Sequence, residues 1–408
     1  MASTPAWRSV LAVTGLWVAV WACTDRISAP GKCPDLCPAD SVVLADTVLN
    51  APLTADTSIR GYTSVKAASI LVVSSLDSLK AVAFLTSTAL PQAWSPQTDT
   101  GTVTFGSLDS VEVQVYLGAR DTSAKNLYIL IYRLPASIDT LIDAAGAAQY
   151  FVDSALVDSI PVDDTLTTGL LTHRVPTSRM MPLEADSFKV GVGFGVRASK
   201  PTIVLLESRD ATTFPPKLFY YARGAPPRNT DSLTRSFELD PAFDTYLISP
   251  AASDPAAGSI VVGNQPAARA LLHVQVPSYI ADSSTVIRGT LVLHLNRPVT
   301  GVPGHTFTIA AAPVLRYFGG KSLLVPDTTT YGYGTMTVGD SVTVAIEIAP
   351  VLRLWKGTNP DSLQRVIELQ ATNEYFNLGE INADGSAAGA NGPRLNLTIV
   401  RPFRFGVP

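Results

Sequence analysis

Three thiols, Cys23, Cys33 and Cys37, fall within fifteen positions near the start of a 408-residue chain that has no other cysteine. Cys33 and Cys37, with Pro34 between them, can close a small disulfide loop in an oxidising compartment or stand as free thiols. Two thiols without a second pair or a nearby histidine do not make a structural zinc site. The four histidines, His173, His273, His294 and His305, are scattered and show no metal-ligand spacing, so surface or strand-edge positions are expected and no metal is predicted. Hydrolysis of a glycoside needs two carboxylates face to face. Asp163-Asp164 and the Asp-Ser pairs at Asp153, Asp158 and Asp186 instead read as turn formers, with calcium held by turn oxygens as the alternative. Gly-x-Ser-x-Gly, phosphate-loop and His-Glu-x-x-His patterns are absent, so no catalytic residues are assigned. "GVGFG" at 191–195 sits in an alternating run with no helix after it, which favours close backbone packing over phosphate binding.

Aromatic side chains offer a binding chemistry, because a flat ring can stack on a sugar. Trp94, in "LPQAWSPQTD", lies between prolines and either presents its ring to a ligand or plugs an open end of a β-sandwich. Tyr331 and Tyr333, in "TTTYGYGTM", form a second candidate glycan platform. Trp355 is assigned to the core.

The first residues concern address rather than catalysis. One cation, Arg8, precedes the uncharged run Val10–Ala22, the layout of an export signal over residues 1–22. Thirteen residues is too short for a membrane-spanning helix, which needs about 20. The run ends in Val20-Trp21-Ala22-Cys23, which resembles a bacterial lipobox, although Trp21 stands where a small residue is usual. The resemblance implies lipidation of Cys23 and anchoring to a membrane. Secretion with cleavage nearby and an uncleaved anchor are the alternatives. Thr24, in place of Asp after the cysteine, points by the sorting pattern of diderm lipoproteins to the outer membrane or cell surface.

Composition then bounds what the rest can be. Of 30 Lys and Arg, one lies in residues 1–22, leaving 29 against 34 acidic side chains, a balance that argues against nucleic acid as a partner. A content of 46% hydrophobic and 16% charged residues is ample for a core, and the length suits two domains. Thirty Pro and 28 Gly, with frequent Thr, Val and Ser, favour strands and turns. Strand-length alternation recurs in "SVEVQVYL", "LYILIYRL", "FKVGVGFGV", "ALLHVQV", "TLVLHLN" and "SVTVAIEI".

The two halves repeat one another in order. "ADTSIRG" (55–61) matches "FDTYLIS" (243–249), "SILVV" matches "SIVVG", and "LKAVAFL" matches "ARALLHV". "DSVEVQVYL" matches "STVIRGTLVLHL", "LYILIYRL" matches "TFTIAAAPVL", and "DSFKVGVGF" is set against "DSVTVAIEI". "FPPKLFYY" and "NGPRLNLTI" close the halves with Pro, a cation and Leu. The second half resembles the DNRLRE-type domain, an extracellular bacterial β-sandwich of jelly-roll type, through "DTYLI", "ARALLHVQVPSYI", "GTLVLHL", "SVTVAIEIAPVLRLWKGT" and "NGPRLNLTI". The resemblance covers roughly residues 240–400, and 52–222 with fewer matches. It implies a short helix beginning at Pro350, with Val351, Leu354 and Trp355 on one face. The first half shows only "VRASKPTI" at the place assigned to it, so loss of that helix is expected there.

The sequence therefore predicts an all-β protein of two tandem jelly-roll-like antiparallel β-sandwich domains. A signal peptide (1–22) and a tether with a Cys33/Cys37 clip (23–50) precede domain 1 (51–222), a linker (223–239) and domain 2 (240–403). The expected role is a non-catalytic, lipid-anchored surface protein that binds polysaccharide or packs with other envelope proteins, without a cofactor. A secreted polysaccharide-acting enzyme or accessory subunit, and a structural spacer without a ligand, are the alternatives.

Overall fold

The computed structural model describes residues 44–61, 67–77, 79–89, 93–94, 103–104, 107–135, 138, 141–180, 189–224, 233–249, 254–316, 325–356 and 365–401. The signal segment, Cys23, Cys33 and Cys37 lie outside the described residues. The chain is all-β, with two large antiparallel sheets that curl around separate cores. Leaving aside two-residue pairings, the first eleven strands are β1 Leu44–Asn50, β2 Leu53–Arg60, β3 Ile70–Leu76, β4 Leu79–Ser87, β5 Ser107–Arg120, β6 Leu127–Leu134, β7 Leu156–Val162, β8 Gly169–Pro176, β9 Gly191–Arg197, β10 Ile203–Glu207 and β11 Lys217–Gly224. Eleven more follow: β12 Leu233–Leu239, β13 Pro241–Ser249, β14 Ser259–Gly263, β15 Ala268–Val274, β16 Thr285–His294, β17 Thr306–Arg316, β18 Gly332–Thr337, β19 Thr343–Glu347, β20 Val366–Ala371, β21 Gly379–Asp384 and β22 Arg394–Val400.

Period-two alternation builds both cores. In β5, Val111, Val113, Val115 and Leu117 are buried, while Glu112, Gln114 and Tyr116 face outward. In β16 and β22, Leu291, Leu293, Leu395, Leu397 and Ile399 do the same for the second core.

The sheet orders show the duplication and something composition could not. The first sheet runs β12-β11-β5-β10-β3-β4-β9-β6-β7, with β8 on β5 and β13 on β4. The second contains β1-β22-β16-β19-β18-β17-β20-β15-β14-β21, with β2 on β15. Each strand of one copy has a counterpart eleven numbers later, and the first two strands of each copy are exchanged. β1 pairs with β22 and β2 with β15, while β12 pairs with β11 and β13 with β4. Such an exchange is inexpensive between like partners, because the same docking edge exists in both.

This arrangement differs from the boundaries expected from sequence. Residues 44–50 of the expected tether form β1, and residues 233–239 of the expected linker form β12. The physical reason is a hairpin: β11 and β12 are antiparallel neighbours with Gly224 opposite Leu233, so the second copy begins on the first copy's sheet. Strand matching also shifts at one place. The counterpart of β9 ("GVGFGVR") is β20 ("VIELQA"), and "SVTVAIEI" matches β8, because β9 and β20 both lie between the equivalents of β4 and β6.

With that match corrected, the short helix has a counterpart in both halves. Ala349–Leu354 follows β19, and Thr177–Met180 follows β8, so the first half keeps one turn of it. Pro350 occupies the first turn, where its missing N–H costs nothing. Ala349, Val351, Leu352 and Trp355 are the buried residues, so Leu352 rather than Leu354 faces the core.

Exchanged strands are latched by equivalent carboxylates. On β2, Asp56 Oδ1 accepts the backbone N–H of Ser386 at 2.9 Å, together with the Ser386 hydroxyl, just after β21. On β13, Asp244 Oδ2 accepts the backbone N–H of Arg209 at 2.7 Å, just after β10. The repeated Asp-Thr of the two halves thus ties each borrowed strand to the copy that receives it. β13 is covered on both faces: Tyr246 and Ile248 join the first core, while Phe243 and Leu247 pack with Phe84, Leu134 and Phe151. Phe84 and Phe243 meet edge to face at 5.7 Å.

The seam between copies is also packed. Val302 and Leu378 of the second copy belong to the first core. The buried Tyr246 hydroxyl donates to Gln265 Oε1 at 2.9 Å, and Gln265 Nε2 donates to the Glu374 carbonyl at 3.0 Å. Arg269 then grips the Glu374 carboxylate with two bonds of 2.8 and 2.7 Å and donates to Glu368 at 3.0 Å. Glu368 is fully buried, and desolvation holds its carboxyl above the usual range despite Arg269.

Asp244 makes this architecture testable through pH. Burial lifts its carboxyl to about 6, only partly countered by the Arg209 N–H. The folded state therefore binds the proton more tightly than the unfolded state, so this group lowers stability as pH rises from about 4 to about 6. Asp244→Asn keeps an acceptor for Arg209 and removes the buried charge. Urea unfolding is expected to show the variant about 1–3 kcal/mol more stable than the parent at pH 7, with the difference fading by about pH 4. A variant weaker than the parent at pH 7 contradicts this reading.

Candidate functional site

The acidic residues singled out by sequence are used locally. Asp163 Oδ1 accepts the Thr165 N–H at 2.7 Å and its hydroxyl at 2.6 Å, and Asp164 Oδ1 accepts the Asn126 N–H at 3.0 Å. The two Thr165 bonds hold the Asp163 carboxyl below its ordinary range. Asp158 lies 3.2 Å from His173 and 3.5 Å from Arg179. Asp186 lies outside the described residues. Among the described residues no group of three or more His, Cys, Asp and Glu is placed to hold a metal ion. In "GVGFG", a Cβ at Gly193 or Gly195 would meet the Phe151 or Tyr132 ring at 2.8 Å, so these glycines are seats for aromatic side chains.

A recess between the copies contains Glu207, His305, Asn373, Asn377 and Phe376. Burial raises the Glu207 carboxyl above its ordinary value. A two-carboxylate hydrolysis would need a second acid here. None is among the residues that line the recess.

The aromatic candidates divide. Trp94 falls in the short strand Ala93–Trp94, paired with Val103–Thr104. Its side chain lies outside the described residues. Tyr331 and Tyr333 stand two residues apart, and their rings are 6.0 Å from each other with planes tilted by 31°. Tyr333 is 53% exposed. Glu347 is directly opposite it on β19, and Ala310 is opposite on β17. Strand alternation puts both tyrosines on the outer face, away from the core that receives Met336.

A second aromatic face escaped the sequence reading. β5 and β11 present Tyr116, Phe219 and Tyr221 outward, and Phe214, 47% exposed, stacks on Tyr116 at 4.3 Å with planes 10° apart. The Arg174 guanidinium covers the Tyr221 ring at 3.6 Å. Tyr221 donates to Glu112 at 3.0 Å, and Gln114 donates to the same carboxylate at 2.9 Å. The acceptor bond to Glu112 keeps the Tyr221 proton on, raising its pKa. These residues come from three strands far apart in the chain, so no local pattern announces them; only the alternation within "SVEVQVYL" and "PKLFYY" hints at outward rings.

Equivalent positions in the other copy are informative. Where β5 and β11 carry Tyr116, Phe219 and Tyr221, β16 and β22 carry His294, Asn396 and Thr398. Where β18 carries Tyr333, β7 carries Ser159. One copy builds the same sheet without the ring that the other displays. These aromatics are therefore not required by the fold.

No known protein family, curated protein or solved structure matches the chain. The likeness of residues 240–400 to DNRLRE-type domains accordingly stands on the motif strings alone. No helix among the described residues is long and apolar enough to cross a membrane.

Because the outward rings are dispensable for folding, Tyr333→Ala and Phe214→Ala are each expected to change unfolding free energy by less than about 1 kcal/mol. Phe307→Ala, which empties a core position that is 1% exposed, is expected to cost about 3–5 kcal/mol. Chemical denaturation of the three variants checks the contrast; a large loss in either exposed variant would make its ring a structural element.

Proposed function

We propose that the protein is a non-catalytic glycan-binding protein of the cell surface, held to the membrane through a lipid on Cys23 and clipped near its anchor by Cys33 and Cys37. The observation that carries the reading is the pair of outward aromatic platforms, each present in one copy and absent from its sister. Exposed rings flanked by a carboxylate, an amide and a guanidinium suit a sugar, whose apolar face stacks while its hydroxyls take hydrogen bonds. The Tyr331/Tyr333 pair and the Tyr116/Phe214 stack supply the rings; Glu347, Glu112, Gln114 and Arg174 supply the polar rim. The motif likeness to extracellular DNRLRE-type domains supports the same class of work. So does the expected leader with its lipobox-like end, which suits work at an outer membrane, while the charge balance argues against nucleic acid.

A structural role in the envelope is the second reading, favoured by the exchanged strands, which make one interlocked two-copy unit of the chain. The two are separated by retention of residues 39–408 on a panel of polysaccharides and isolated cell-wall glycans. Saturable retention on at least one glycan, weakened tenfold or more by Tyr333→Ala, Phe214→Ala or Trp94→Ala, is expected. Absence of retention on every glycan sinks the glycan reading and leaves the structural one.

A further inference from the structure

A groove of about 450 Å³ opens where the two copies meet, and it plays no part in the aromatic platforms. Equivalent elements of the two copies contribute to it. Arg60 and Ile248 stand at matching ends of the exchanged strands, and the equivalent hairpins that follow contribute Leu76 and Leu79 from one copy and Gln265 and Pro266 from the other. Its volume and its place between repeated units are those of a small-molecule site.

The walls are mostly apolar, with Leu76, Leu79, Ile248 and Leu378 among them, and the charge is concentrated at one spot. Arg60 Nη1 donates to Glu380 Oε2 at 2.7 Å, and Arg297 Nη2 donates to Glu380 Oε1 from the other side. Two guanidinium groups thus converge on one carboxylate among the lining residues. The Glu380 side chain is 9% exposed, whereas that of Arg297 is 47% exposed. Among the described residues, Arg297 Nε and Nη1 have no acceptor, so a charged N–H donor remains available on each edge of the guanidinium beside the apolar walls. A charge-assisted donor of this kind favours a carboxylate. The asymmetry between copies points the same way. Ile248 at the position matching Arg60 leaves the charge at one end and an apolar surface at the other.

We propose that this groove binds a single-chain carboxylate with an apolar tail, its head on Arg297 and its tail along Leu76, Leu79, Ile248 and Leu378. The ligand is a free amphiphilic acid, and the site is independent of glycan binding at the sheet faces. Burial of the tail supplies the attraction, and Arg297 fixes the orientation and selects the anion.

A dansyl-labelled undecanoic acid, titrated into the purified chain, tests the assignment by its fluorescence, with the methyl ester of the same probe as the uncharged control. Saturable binding of the acid is expected, with the ester at least tenfold weaker. Arg297→Gln is expected to weaken the acid at least tenfold and to leave the ester unchanged, and its half-exposed position makes misfolding no obstacle. Val338→Trp, which fills the groove from its rim, is expected to abolish binding of both probes. No saturable binding, equal binding of acid and ester, or full affinity in Arg297→Gln would each overturn the proposal. Displacement of the acid by soluble glycan would contradict the independence of the two sites.

Discussion

Reciprocal exchange of the first two strands is the constraint on which the rest of the structure depends. Every backbone N–H and carbonyl of a strand inside a sheet needs a partner, and β1, β2, β12 and β13 all find theirs on the copy to which they do not belong in sequence. Neither half can complete its sheet from its own run of residues. The latch carboxylates, Asp56 and Asp244, sit on these borrowed strands and close onto the receiving copy. The duplication thus yields one interlocked unit rather than two beads on a linker.

The seam has the features that interlocking requires. Val302 and Leu378 reach into the first core, and the chain of bonds from Tyr246 through Gln265 and Glu374 to Arg269 joins the borrowed β13 to the second copy. The buried Glu368 beside Arg269 is tolerated because its charge is paired; removal of Arg269 would strand two carboxylates in a dry environment. An interlocked body offers fixed outer faces, and both aromatic platforms stand on strands that are packed from behind by core residues. The groove proposed for an amphiphilic acid exists only because the matching elements of the two copies meet at this seam.

Much of this was legible in the residues. Alternation in "SVEVQVYL" and "TLVLHLN" marks β5 and β16, and the order of matched strings reveals two copies of one all-β unit. The exchange was not legible, because "ADTSIRG" and "FDTYLIS" fit the same docking edge and the inward pattern of a strand does not say which copy receives it. Its one local clue is the linker itself, whose Pro, Gly and Asn content suits a hairpin as well as a spacer. The misplaced match of "DSFKVGVGF" arose because the same Asp-Ser pair precedes strand strings of different rank. Tyr331 and Tyr333 were visible as candidates because they lie together in sequence. Tyr116, Phe214 and Tyr221 were not, since pairing across β5 and β11 assembles them.

The exchange is tested most directly by a cysteine cross-link. In the exchanged arrangement Val48 lies opposite Asn396, both exposed; without exchange its neighbour would be Phe219, the counterpart of Asn396 on β11. Opposed residues of antiparallel strands are close enough for a disulfide. In a chain with Cys23, Cys33 and Cys37 replaced by serine, Val48→Cys with Asn396→Cys should form an intramolecular disulfide, identified by mass spectrometry of the unreduced digest, and Val48→Cys with Phe219→Cys should not. A disulfide in the second variant and none in the first would contradict the exchange and the account built on it.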